Sequence, residues 1–195
     1  TLLHSLLAQD PAQRRPMTWE LVAPVPPAQT AYFDTDPRIA AAERMIGKLD
    51  ALVPGFQAIH PMGARLPQEC LAVFAFEFAS FEFETTFDVP GYMEWLYRND
   101  MRAAYRFHHD LLQHMQSGHR GQRWVLKTPV HLLTIDALLA QYPDAQIIQT
   151  HRDPLAVMAS VSSLHCFLRG AASDAIDPIR VGRQQVEAQG PGAMD

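Results

Sequence analysis

The chain has 195 residues, 48% of them hydrophobic and 19% charged, with a net charge of −5. These proportions belong to a globular protein long enough for one sizeable core. The acidic balance excludes broad nucleic-acid binding, which needs basic surface against phosphates.

No apolar run approaches a membrane span, because Glu77, Glu82 and Glu84 interrupt the most hydrophobic region. No secretory pattern opens the sequence. Cys70 and Cys166 stand alone, without metal or disulfide spacing. A cytoplasmic protein with free thiols is therefore expected. Residues 1–9 form an amphipathic helix stopped by Asp10-Pro11, an odd opening for an α/β domain because no strand precedes it. Trp19-Glu20-Leu21 then leads into PVPP, too proline-rich for a central strand. Glu20 reads on its own as a solvated or capping glutamate.

Residues 36–52 carry helical spacing at Ile39, Ala42, Met45, Ile46 and Leu49, with Asp34, Thr35 or Asp36 as cap and Pro37 in the first turn. Pro67-Gln68-Glu69 opens a further helix, where a glutamate suits the dipole. Phe74, Phe76, Phe78, Phe81, Phe83 and Phe87 form a dense aromatic stretch that fits either core packing or the lining of a greasy pocket. Residues 92–99 and 100–117 read as consecutive helices. His108, His109 and His114 lie on the second, but no carboxylate is spaced to complete a metal site, and no metal is expected.

The informative stretch is 124–168. Residues 124–126 form a short strand ended by Lys127-Thr128-Pro129. Residues 131–142 are helical, 145–150 read as a buried strand around Ile147-Ile148, and 154–168 are helical again. Strand–helix–strand implies two parallel strands with a right-handed crossover. Ligands in such sheets bind beyond the carboxyl ends of the strands. Lys127 and His151-Arg152-Asp153 stand at those ends, and Ser160 follows Arg152 by eight residues. A guanidinium beside a helix N-terminus suits a phosphate. A local Arg152–Asp153 ion pair with capping, and a helix-packing Ser160, fit equally. Residues 174–189 make one more helix, which Gly190-Pro191-Gly192 ends.

LKTP followed some twenty residues later by HRDPLAVMAS resembles the sulfotransferases that use 3′-phosphoadenosine-5′-phosphosulfate (PAPS), in their bacterial-type branch. The resemblance implies that Arg152 and Ser160 hold the 3′-phosphate of PAPS and that Lys127 lies by the 5′-phosphosulfate. It also implies an α/β fold: a P-loop-like parallel sheet flanked by helices, helix-rich. Residues 1–195 would form one domain, with a nucleotide-binding core at 124–168 and an acceptor-side helical region at 36–117. In the family the first helix follows a strand and a loop of the type G-x-P-R-T-G-T-T. Thr1 matches its last Thr as a cofactor-binding residue, so the chain is expected to be incomplete at both ends.

The reaction implied is transfer of a sulfuryl group from PAPS to a hydroxyl of a small-molecule, lipid or carbohydrate acceptor, with no metal. Glu20 is the positional match for the base that takes the acceptor's proton. His60, Glu69 and His131 are secondary candidates, and His131 is displaced from the position after the lysine that the cytosolic branch uses. The alternatives are a nucleotide-binding remnant without catalysis and a P-loop-type kinase, for which Asp153 would have to hold Mg²⁺.

Overall fold

The computed structural model describes residues 2–189; Thr1 and the Gly190–Gly192 stop lie outside the described residues. Helix α1 (Leu2–Leu7) leads to a two-residue strand β1 (Gln13–Arg14) and a short helix α2 (Thr18–Val22). The long α3 (Pro37–Leu52) starts where Asp36 accepts from Arg38 N at 3.0 Å and Pro37 pre-sets the first turn. It buries Ile39, Ala42 and Ile46, the inward positions of its stripe, against Met17, Trp19 and Ala64.

Single-turn helices follow at α4 (Phe56–Ile59), α5 (Leu71–Ala75) and α6 (Glu82–Thr86). The helix expected from Pro67 starts later than the sequence suggests. Residues 67–69 are extended instead, because Pro67 bridges Met17 in antiparallel fashion and Gln68 N donates to Pro16 O at 2.8 Å. Helix α7 (Pro90–Arg98) and helix α8 (Arg102–Gly118) complete the helical block. The buried positions of α8 (Ala104, Tyr105, His108, Leu111, Leu112 and Met115) repeat at helical spacing. The aromatic stretch divides between two environments. Phe74 is buried in the core with Tyr105 and Met93, whereas Phe76, Phe78 and Phe87 are exposed.

Strand β2 (Arg123–Trp124) pairs in parallel with β1, Gln13 opposite Arg123 and Arg14 opposite Trp124. Flanking bonds from Gln122 N to Ala12 O and from Val125 N to Arg14 O, both 2.8 Å, extend the pairing. The parallel sheet is thus present in small form, but its partner is not the one the spacing suggests. Residues 145–150 form no strand and are exposed, with Ile148 at 67%. The buried-strand reading of Ile147-Ile148 is corrected accordingly: among the described residues these six pair with no strand, and Ala145 N donates only to the turn oxygen of Tyr142 at 3.1 Å. After β2 comes a 3₁₀ turn, Pro129–Thr134, capped by Thr128, and then α9 (Ile135–Gln141). The last two helices are α10 (Pro154–Gly170) and α11 (Pro178–Gln189), and α10 packs on α4, α6 and α11.

Candidate functional site

The β1–β2 pairing aims Lys127 at a cavity. Beyond Val125 the chain stays extended, and Lys127 O accepts from Cys70 N at 3.0 Å. That bond brings Glu69 beside Lys127, whose ammonium donates to Glu69 Oε1. His60 Nε2 lies 3.7 Å from the same oxygen. His60 closes α4, its backbone N donating to Phe56 O at 2.9 Å, and its ring stacks on Phe56 at 5.9 Å. Burial acts to raise the Glu69 pKa. The adjacent His60 ring and the charge and hydrogen bond of Lys127 outweigh burial, so the carboxyl lies below its ordinary range.

The cavity, about 330 Å³, is lined by Lys127, Glu69, His60 and His4 at its polar part. Ile59, Met62, Leu66 and Pro67 supply apolar wall. Such a space accepts a molecule with a polar head and an apolar body. Among the described residues, no group of three His, Cys, Asp or Glu side chains is arranged to hold a metal ion.

Arg152 and Ser160 stand on α10 and at its start. Both are exposed, and among the described residues neither side chain has a hydrogen-bond or ion-pair partner. Asp153 caps α10, accepting from Leu155 N at 2.8 Å and Ala156 N at 3.4 Å. The capping half of the plain reading therefore holds, while no Arg152–Asp153 ion pair forms. It also leaves Asp153 Oδ1 engaged as a cap. Arg152 and Ser160 are not among the residues lining the Lys127 cavity.

Glu20 is elsewhere. It is 2% exposed, and both of its oxygens bind the Arg14 guanidinium. Its Oε2 also accepts from Met17 N at 3.1 Å, at the start of α2. Arg14 in turn donates to His119 O and lies over the Trp124 ring at 4.8 Å. Of the two unaided readings of Glu20, the capping one describes its contacts. His131 faces the core, its Nδ1 2.7 Å from Tyr105 Oη, and burial pushes its pKa down to about 4.

The residue that sequence reasoning passed over is His4, buried in the cavity wall. The signal was there: a lone histidine among leucines on a helix reads as surface, but here Leu2 and Leu6 are outward and His4 inward.

A family model described as the sulfotransferase family matches residues 1–189. Sulfotransferase STF9 from Mycobacterium avium has a similar structure, with 30% identity and a TM-score of 0.81 over 95% of this chain and 48% of that one. Sulfotransferase STF1 from Mycobacterium tuberculosis H37Rv gives 32% identity and a TM-score of 0.73 over 96% of this chain and 54% of that one. The chain thus spans about half the length of these solved structures. A comparison with curated proteins gives no match. No described helix is long and apolar enough to cross a membrane. On the family match and the two structural likenesses together, the chain belongs to the sulfotransferase family.

Proposed function

We propose that the protein takes part in transfer of a sulfuryl group from PAPS to a hydroxyl of a small-molecule, lipid or carbohydrate acceptor. The observation that carries this reading is Lys127, a cation at the end of a parallel strand, in a cavity with an apolar wall. In-line transfer pushes charge onto the bridging oxygen of the leaving phosphate, and a fixed ammonium there stabilises it. Lys127 is assigned that role. Arg152 and Ser160, exposed and uncommitted, are assigned the 3′-phosphate: the guanidinium forks onto two oxygens and the hydroxyl donates to a third. Because Asp153 already occupies the first amides of α10, these side chains, rather than helix amides, must do the gripping.

Thr1 remains assigned to the 5′-phosphate on the resemblance alone. Glu20 was the positional match for the base, but its two oxygens serve Arg14, and under this reading the acceptor's proton goes to a group in the Lys127 cavity. The acceptor's apolar body lies along Ile59, Met62 and Leu66. The proposal also keeps the protein in a reducing cytosol, with Cys70 and Cys166 as free thiols.

The test is calorimetric titration of the chain with adenosine 3′,5′-bisphosphate (PAP), the nucleotide product. Arg152→Ala should weaken binding at least tenfold, whereas a chain that ignores PAP, or an Arg152→Ala variant that binds it unchanged, refutes the assignment. ATP with Mg²⁺ as competitor separates this reading from a kinase.

A further inference from the structure

Helix α1 is turned inside out. Leu2 and Leu6 are 75% and 54% exposed, while His4 is 8% exposed. The His4 Nε2 is buried and has no hydrogen-bond partner among the described residues. Polar atoms so placed are uncommon in folded proteins and call for a partner not yet present. The ring belongs to the wall of the cavity that also holds Lys127, Glu69 and His60.

The Val125 carbonyl acts on the ring as a nearby acceptor. We place the ring hydrogen on Nδ1, because Nε2 is the nitrogen without a partner. In a neutral imidazole Nε2 then holds a lone pair. Burial first, and then the charge of Lys127, lower the His4 pKa, against smaller opposing effects of the Val125 carbonyl and Glu69. The ring is thus neutral at neutral pH, with its lone pair beside the cavity.

Resting on the sulfuryl-transfer reading above, we propose that His4, through its unpartnered Nε2 in the wall of the Lys127 cavity, takes the proton from the acceptor hydroxyl. As the acceptor oxygen bonds to sulfur, its proton passes to Nε2. The bond from sulfur to the bridging phosphate oxygen breaks, and that electron pair leaves with PAP, facing Lys127. The imidazolium then returns its proton to solvent. Glu69 is the less suitable acceptor: it is bound by Lys127, approached by His60 and held below the ordinary carboxylate range. A base works best when its proton affinity matches the working pH. Nε2 is closed to water in the free protein, so a hydroxyl reaches it as wall residues shift. Leu2 and Leu66, both exposed, are wall residues with room to move.

Water can serve as the acceptor, so the natural one need not be known. The experiment follows release of labelled sulfate from PAPS by the full chain as a function of pH, alongside PAP affinity. His4→Gln keeps the bulk and an N–H for the Val125 carbonyl. Its rate should fall by about 10²–10⁴-fold, the span of general-base effects. Its acidic limb should vanish, with PAP affinity within twofold of wild type. A His4→Gln variant with the wild-type rate and pH profile overturns the inference alone, and loss of turnover in Glu69→Gln only would move the role to Glu69. A wild-type chain that binds PAP but releases no sulfate overturns the transfer reading, and this assignment with it. If His4→Gln does not fold, ¹⁵N resonances of the wild-type imidazole decide: a neutral Nδ1–H ring at pH 7 supports the inference, and an Nε2–H ring or a cation contradicts it.

Discussion

Replacing Glu20 by alanine separates a structural carboxylate from a catalytic one. Arg14 and Glu20 have side chains 3% and 2% exposed, and their contact is bidentate, with Nη1 to Oε2 at 2.9 Å and Nη2 to Oε1. Removing the carboxylate strands a buried guanidinium and also frees Met17 N at the start of α2. Losing one partner of a buried pair costs about 3–5 kcal/mol. At about 2–4 °C per kcal/mol for a chain of this size, Tm should fall by roughly 6–20 °C. The bonds from Arg14 to His119 O and Arg15 O remain and place the result toward the lower end. Differential scanning calorimetry of the wild type, Glu20→Ala, Arg14→Ala and the double variant measures the coupling between the two side chains. Below its Tm, Glu20→Ala should still bind PAP as the wild type does. A variant that melts within about 2 °C of wild type yet loses sulfate release would falsify the structural reading and restore Glu20 as the base.

Lys127→Ala should reduce sulfate release by roughly 10²–10³-fold, the usual effect of deleting one preorganised donor at a developing charge; a loss below threefold contradicts its place at the leaving group. Arg152→Ala should leave Tm unchanged, because the side chain is exposed and unpartnered, while PAP affinity drops tenfold or more. Burial lowers the His131 pKa to about 4, and burial, then charge on His131 and His109, lowers that of His108 to about 3. Folded values below the unfolded value of about 6.5 give a contribution present above that value and lost as pH falls through the folded ones. The urea midpoint should therefore drop steeply from pH 6.5 to 4, and less steeply in His108→Gln; a flat midpoint refutes this.

Much of the helical frame was legible because it obeys local rules. Asp36-Pro37 starts α3 where capping chemistry puts it, and the 3.6-residue stripe of α8 buries the side that its apolar residues mark. Lys127 at a strand end was legible as well, since the motif and the spacing agree. Residues 145–150 were not: a short apolar run declares a wish for burial but not the neighbour that provides it, and here Ile147 and Ile148 stay exposed. That Glu69 lies beside Lys127 while Glu20 pairs with Arg14 was hidden for a similar reason. Sequence distance from the first helix singled out Glu20, but a backbone bond from Cys70 N to Lys127 O, across 57 positions of chain, put Glu69 beside the lysine. His4 escaped notice because hydrophobic periodicity assigns its leucines, not its histidine, to the inside.

The β1–β2 pair has a bearing on the order of assembly. The Arg14 side chain reaches His119 O across 105 positions, so the tie that aims Lys127 is a long-range one. Closing so large a loop is entropically slow, and local helices form well before it. During refolding, α3 and α8 should therefore gain protection from hydrogen exchange early. The cleft around Lys127 should arrive last, after the helices that surround it are protected.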